Sequence, residues 1–212
     1  MKPLFFSGPP ARFFSLLIVV TSLAACALSR SGESALRPGV QRLPTLRAQG
    51  DLIIATLPGA TVTVEPLTAK GLEAYYARRT TLLDPFKILP KRTKGLLAFI
   101  LRIQNVGQDR INFDPSQAVL VDQQDRRLAA LSYDELYSLF PEKGESAKVL
   151  RAFEETVLTS YIVVPPKLDR EGLLLFPSLD PAAKAIILEV GSFYIGSAEQ
   201  LLLFEFEIRR AP

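Results

Sequence analysis

The chain has 212 residues, with 25 Lys or Arg, 22 Asp or Glu, one Cys and no His. The absence of histidine excludes a Ser-His-Asp triad, an imidazole general base and any histidine-ligated metal, and a single cysteine excludes an internal disulfide. The small formal net charge of +3 gives no basis for nucleic-acid binding, so no nucleic-acid partner is predicted.

The N-terminal segment has the composition of a secretory signal. Lys2 and Arg12 supply positive charge without any acidic residue nearby, and an apolar run follows that ends in small residues. This run closes with Leu23, Ala24, Ala25 and Cys26, which resembles a bacterial lipobox. The resemblance implies that residues 1–25 are cleaved as a signal peptide. It also implies that Cys26, the new N-terminus, carries covalent lipid and anchors the protein to a membrane.

Two alternatives to the lipoprotein interpretation remain open. The first is an uncleaved transmembrane anchor, but residues 13–25 fall short of the roughly 20 residues that cross a bilayer. The second is an ordinary signal peptide followed by a structural cysteine, but a lone exported thiol has no disulfide partner. In Gram-negative lipoproteins an aspartate after the acylated cysteine favours inner-membrane retention. That position is Ala27, so the resemblance implies the periplasmic face of the outer membrane.

The remaining chain divides into a tether and one domain. Residues 26–50 are predicted to be the acylated N-terminus and a flexible tether, because Pro38 and Pro44 interrupt them and no apolar period is sustained. Packing of residues 40–46 on the domain is an equally good interpretation. From residue 51 to residue 212, short apolar runs alternate with Gly, Pro, Asn and Asp, which favours a single β-rich domain.

Alternating apolar residues predict most of the strands. The clearest examples are residues 96–105 and 202–208, where every second side chain is apolar. Further strands are predicted at residues 52–56, 60–65, 72–77, 111–113, 118–122, 127–131, 161–164, 172–176 and 185–194. Strands of this length and spacing are typical of an antiparallel β-sandwich.

A helical insertion is predicted at about residues 132–158. Ser132 and Glu135 have the spacing of a capping box, which predicts a short helix ending near Phe140. A second helix is predicted over residues 146–158, where apolar residues recur at helical spacing.

The aromatic residues of this insertion are the candidate partner contacts. Tyr133, Tyr137 and Phe140 are expected to pack in the core together with Leu136 and Leu139. If some of them are exposed, they form the kind of aromatic surface that marks a protein interface.

The strand pattern resembles that of immunoglobulin-like domains of bacterial envelope lipoproteins. The residues that carry this resemblance are 99–105, 113–122, the polar turn 123–126 and the run 172–176, and the resemblance extends over most of residues 60–208. It implies an immunoglobulin-like antiparallel β-sandwich that serves as a binding or assembly module. It assigns no functional residue.

Paired carboxylates are the remaining route to catalysis, since glycosidase chemistry needs no histidine. Glu154 and Glu155 are adjacent on a predicted helix and therefore point about 100° apart. Glu205 and Glu207 share a strand face that fits the solvent side of a sheet. No catalytic, cofactor-binding or metal-binding residue is therefore assigned.

The sequence predicts a lipid-anchored, non-enzymatic cell-envelope lipoprotein that binds another envelope protein. The competing hypothesis is a histidine-free envelope hydrolase that uses carboxylates on glycan or lipid, and a third is a purely structural component of an envelope assembly. A cleft with two converging acids and a raised carboxyl pKa would favour the hydrolase, whereas exposed Tyr137 and Phe140 would favour binding.

Overall fold

The computed structural model describes residues 35–91, 93–139 and 146–209. The predicted signal peptide, Cys26 and Phe140 lie outside the described residues. Within the described ranges, no helix is long and apolar enough to cross a membrane.

The elements alternate between short strands and a few helices. In chain order they are β1 (Ala35–Pro38), β2 (Leu46–Gln49), β3 (Leu52–Leu57), β4 (Ala60–Leu67), α1 (Ala69–Ala77), α2 (Pro85–Ile88), β5 (Leu97–Asn105), β6 (Ile111–Phe113), β7 (Ala118–Asp122), β8 (Arg127–Ala129), α3 (Tyr133–Ser138), α4 (Ser146–Thr156), β9 (Ile162–Val164), β10 (Asp169–Phe176), β11 (Ala185–Ile195) and β12 (Ala198–Arg209). The mainly β class predicted from the sequence is confirmed.

The strands form two antiparallel sheets. One sheet has the order β10-β5-β4-β3-β2 across the described residues; we call it the middle sheet, because the other sheet packs on one of its faces and helices pack on the other. The outer sheet places β1, β12 and β11 side by side. The far edge of β11 pairs with β7 along residues 186–190 and with β6 along residues 193–195, and β8 and β9 extend the sheet from β7 and β6.

The two sheets pack face to face through the alternating apolar residues. Phe99 on β5 is fully buried and reaches Phe206 on β12, with ring centroids 5.4 Å apart. Phe113 and Phe193 pair within the outer sheet at 6.1 Å. This packing makes the domain a β-sandwich, and it fixes which face of each strand is buried.

A second core covers the opposite face of the middle sheet. Leu72, Tyr76, Leu136 and Phe153 on the helices pack there, against a patch of the sheet formed by Ala98, Ile100, Leu173 and Leu175. A sheet covered on both faces needs apolar side chains in both directions, which explains the uninterrupted runs in β5 and β10. The predicted insertion is therefore one part of a larger helical layer.

The strand predicted at residues 72–77 is wrong, because this segment is helix α1. Thr68 caps the helix, its Oγ1 accepting a hydrogen bond from Gly71 N at 3.1 Å. Leu72, Tyr75 and Tyr76 lie at helical spacing and are all buried.

The tether predicted over residues 26–50 is corrected from residue 35 onward. β1 pairs with β12 and β2 pairs with β3, so both segments belong to the domain. Edge strands of this kind are held by backbone hydrogen bonds and need little apolar side-chain pattern. Leu46 nevertheless reaches the core, with 7% of its surface exposed, whereas Val40 is 81% exposed.

Both helices of the predicted insertion are confirmed, as α3 and α4. The capping box is present: Ser132 Oγ accepts from Glu135 N, and Glu135 Oε2 accepts from Ser132 N at 2.7 Å. The Glu135 carboxylate accepts hydrogen bonds from both the backbone N and the Oγ of Ser132, and these lower its pKa. The Arg151 to Glu155 pair, suggested by i,i+4 spacing, is also present at 2.6 Å.

Asn105 links the two sheets through its side-chain amide, and the residue is buried, with 2% of its surface exposed. Its Nδ2 donates to Asp109 O at 2.7 Å and to Val164 O on β9 at 2.9 Å, and its Oδ1 accepts from Gly107 N at 3.0 Å. One side chain therefore holds the β5–β6 turn against a strand of the outer sheet.

Replacing Asn105 by leucine is expected to cost about 2 kcal/mol of folding free energy, because the buried groups it serves lose their partner. The measurement is urea unfolding followed by circular dichroism. Asn112→Leu is the matched control, since Asn112 is only partly buried on β6, and we expect a change within about 0.5 kcal/mol. Equal losses in the two variants would contradict the role given to the Asn105 amide.

Candidate binding surfaces

The exposed face of α3 carries the tyrosine surface, formed by Tyr133 and Tyr137. Their rings stack with centroids 6.3 Å apart and planes 24° apart, and the residues are 41% and 57% exposed. Tyr133 OH donates to Glu154 Oε1 on α4 at 3.1 Å, and this hydrogen bond raises the pKa of the Tyr133 hydroxyl. The expectation that both tyrosines are core contacts is wrong.

The helix geometry explains this outcome. Leu136 lies on the opposite side of α3, where it is 2% exposed, and Leu139 is partly buried, so the core contacts expected of these two leucines are confirmed. Tyr133 and Tyr137 are four positions apart and therefore share the other side of the helix. Tyr133 and Tyr137 are therefore exposed together on one side of α3.

Three of the four carboxylates considered for catalysis have partners of their own. Glu154 accepts from Tyr133, whereas its neighbour Glu155 pairs with Arg151. Glu205 lies 3.2 Å from Arg42. Hydrogen bonds lower the carboxyl pKa at four other positions: from Lys87 at Glu73, from Ser132 at Glu135, from Ala182 and Arg126 at Asp180, and from Arg126 and Gln124 at Asp122, where they outweigh the effect of burial. No cluster of three or more carboxylates that could hold a metal occurs in the part of the chain that the structure describes.

A second surface was not predicted from the sequence. The arginine groove is an open depression of about 920 Å³ between the middle sheet and the last turn of α1. It is lined by Gln49, Gly50, Leu52, Ile54, Thr63, Glu65, Tyr75, Arg78, Arg79, Ile100, Arg102, Gln104 and Glu171. Three arginines against two glutamates give this lining a net charge of +1.

The register of the middle sheet builds the floor of the groove. Ile54 on β3 lies opposite Thr63 on β4, Thr63 lies opposite Arg102 on β5, and Arg102 lies opposite Glu171 on β10. These residues point away from the inter-sheet core, because their sequence neighbours Ile53, Val64, Leu101 and Ile103 are fully buried there. The row runs from an apolar side chain to a charged pair across four strands.

Two arginines hold Glu171, one at each carboxylate oxygen. Arg79 Nη2 lies 2.9 Å from Oε1, and Arg102 Nη2 lies 2.8 Å from Oε2. Arg79 is fixed further, since Nη1 donates to Tyr75 O at 3.0 Å and its guanidinium carbon lies 3.6 Å from the centre of the Tyr75 ring. The result is a rigid, partly buried cationic cluster with net charge +1.

The groove cannot be recognised from the sequence pattern, because its polar residues look like the solvent side of a sheet. Thr63, Arg102 and Gln104 alternate with buried residues and therefore match the solvent side of a half-exposed sheet. Arg78 and Arg79 follow a segment that was predicted as a strand. Recognising the Thr68 cap and the helical spacing of Leu72, Tyr75 and Tyr76 would have placed these arginines at a helix end.

Comparisons with known proteins give little further information. No protein-family model and no curated protein matches the chain. A solved structure, the yjhA protein from Bacillus subtilis, is similar to 46% of this chain at 17% sequence identity with a TM-score of 0.29. The match spans 58% of that protein, which is less than two thirds of its length. A likeness this low carries no argument about fold or function.

Proposed function

We propose that the protein is a lipid-anchored lipoprotein of the bacterial cell envelope that binds another envelope protein without catalysing a reaction. The exposed, stacked tyrosine pair of α3 is the observation that carries the binding role. Lipid on Cys26 attaches the domain to a membrane, and Ala27 favours the periplasmic face of the outer membrane. The anchor rests on the order of charged, apolar and small residues that ends at Cys26.

The described strands set how far the domain extends from such an anchor. Ala35 begins β1, nine residues after Cys26 (35 − 26). A chain of that length reaches at most about 30 Å, which is shorter than the predicted tether of residues 26–50 would allow. An anchored domain would therefore meet partners close to the membrane surface.

Several features support binding at the tyrosine surface. Tyrosine combines a large apolar ring with a hydroxyl that bonds water or a partner, and it is enriched at interfaces. The ring of Tyr133 is positioned by its hydrogen bond to Glu154, so less freedom is lost on binding. We include Phe140 as a third contact from the sequence pattern.

The finer fold type is part of the same proposal. The sandwich is of the immunoglobulin-like type, which serves in many proteins as a scaffold for surface recognition. The helical layer on the middle sheet is then the elaboration that distinguishes this domain.

Mass spectrometry of the mature N-terminus tests the anchor. We expect Cys26 to be the first residue and to carry acyl chains, and we expect the Cys26→Ala protein to be neither acylated nor cut before residue 26. Attachment by two or more chains is durable because each buried methylene contributes about 0.8 kcal/mol. An unmodified Cys26 in a protein that still carries residues 1–25 would remove the anchor from the proposal.

Crosslinking in cells tests the binding role. We expect Tyr137→Ala to reduce recovery of the crosslinked partner about tenfold, because truncating a central aromatic contact typically costs more than 1 kcal/mol. Tyr161→Ala is the matched control, since Tyr161 is 62% exposed and lies outside α3 and α4. Unchanged recovery in the folded Tyr137→Ala protein would rule out the tyrosine surface as the interface.

A further inference from the structure

We infer that the arginine groove binds an extended acidic segment of a partner protein, placing a carboxylate on Arg102 and Arg78 and an apolar side chain on Ile54. This inference deepens the proposed protein-binding role and rests on it. It depends neither on the anchor nor on the tyrosine surface, because every residue of the groove lies elsewhere in the described chain.

Donor capacity is the first argument for an anionic ligand. A guanidinium has five N–H donors in a fixed plane, and Arg102 directs one of its nitrogens to Glu171. Its side chain is 48% exposed, so further donors face the open groove. Arg78, at the end of α1, is exposed on the same groove. A carboxylate is the group that guanidinium donors bind in pairs.

Preorganisation is the second argument. Glu171 and the Tyr75 ring hold Arg79, and Glu171 also fixes Arg102, so the cationic cluster is built before a ligand arrives. Binding then costs less side-chain entropy than it would with free arginines. Because Glu171 neutralises one of the two guanidinium charges, a net positive charge remains for a ligand anion.

The floor of the groove favours an amphipathic segment, because apolar and polar side chains lie side by side on it. Ile54 and Ile100 are half-buried on the floor beside polar Thr63 and Gln104. Adjacent strands lie about 4.8 Å apart, so Ile54 and Arg102, two strands apart, are separated by about 10 Å. Side chains at positions i and i+2 of an extended peptide lie on the same face about 7 Å apart, and long side chains such as Glu and Leu can spread to cover the remaining distance of about 3 Å. A peptide can therefore reach both contacts at once.

Peptide selection tests this inference. The library displays random peptides of about eight residues, which span about 27 Å when extended. The bait is the full-length protein in mild detergent. We expect enrichment of peptides that carry Asp or Glu two positions from Leu, Ile or Val, because these side chains share one face of an extended peptide. An enriched peptide should bind at least about tenfold more weakly to Arg102→Ala and to Arg78→Ala, and weaker binding in high salt is expected for both bait and variants.

Arg127→Ala is the matched control for Arg102→Ala. Arg127 is 52% exposed and pairs with Glu189 on the outer sheet, much as Arg102 pairs with Glu171. We expect Arg127→Ala to bind the peptide like the unchanged protein. Equal losses in Arg127→Ala and Arg102→Ala, or no enrichment of acidic peptides, would overturn the inference.

A competition assay tests whether the groove prefers the carboxylate of a peptide or inorganic phosphate. Sodium chloride and sodium phosphate are compared at equal ionic strength, and we expect equal displacement of the peptide. Much stronger displacement by phosphate would make the groove a phosphate site and overturn the peptide as its occupant. Because this assay involves neither Cys26 nor Tyr137, its failure is distinguishable from a failure of the anchor or of the tyrosine surface.

Discussion

The Phe99→Ala variant is expected to lose about 4 kcal/mol of folding free energy, which lowers the ratio of folded to unfolded protein about a thousandfold. Phe99 is fully buried at the centre of the sandwich. Its ring contacts Phe176 on the neighbouring strand at 5.8 Å and Phe206 on the opposite sheet at 5.4 Å. Removing the ring therefore leaves a cavity where both sheets meet, and close packing around it prevents full collapse.

Urea unfolding followed by circular dichroism measures this loss, and Leu201→Ala is its control. Leu201 lies on β12, the same strand as Phe206, but is 63% exposed. We expect Leu201→Ala to change the folding free energy by less than about 0.5 kcal/mol. If Phe99→Ala unfolded at the same urea concentration as Leu201→Ala, the packing between the sheets would not be the main source of stability.

The strands that the sequence predicts well are those whose pattern is local. In β5 and β12 alternate side chains enter the inter-sheet core, so the period of two is visible in the residues themselves. β1 has no such signal. Its four residues pair with β12 at sequence separations of 168 to 174 positions, as in Ala35 with Arg209, and that pairing depends on backbone groups.

The two candidate surfaces differ in the same way. Tyr133 and Tyr137 belong to one helix, so the capping box that predicts this helix also places both tyrosines on it, although it does not predict that they are exposed. The arginine groove combines residues from α1 and from five strands, β2, β3, β4, β5 and β10, and its shape depends on how α1 packs on the sheet. Pattern on a single strand cannot distinguish such a groove from a solvated face, because both present alternating polar residues.

Replacing Gly172 by alanine is expected to cost about 3 kcal/mol, near the upper end for overpacking a core. A Cβ at this position would lie 2.4 Å from Leu158 Cδ2, 2.7 Å from Leu158 Cγ and 3.0 Å from Thr156 O. Leu158 cannot turn away, because it is 5% exposed and its backbone N donates to Leu173 O at 2.9 Å. The clash must be relieved by moving the chain that leaves α4.

The segment that follows α4, residues 157–158, closes one edge of the sandwich beside Gly172. β10 is an edge strand, and Val157 runs alongside it in a parallel bridge with Leu173. Val157 enters the helical core and Leu158 enters the inter-sheet core, so consecutive residues seal the two faces of the middle sheet. Leu158 occupies the space that a side chain at position 172 would otherwise take.

A double-mutant cycle with Leu158→Ala tests whether the Leu158 side chain is what excludes a side chain at position 172. Leu158→Ala alone is expected to cost about 3 kcal/mol, because it leaves a cavity at the sandwich edge. Combined with Gly172→Ala, it removes the two shortest clashes and lets the new methyl group fill part of that cavity. The urea-unfolding loss of the double variant should therefore be at least about 1 kcal/mol smaller than the sum of the single losses. Additive losses would mean that Thr156 O, and not the Leu158 side chain, is what requires glycine at position 172.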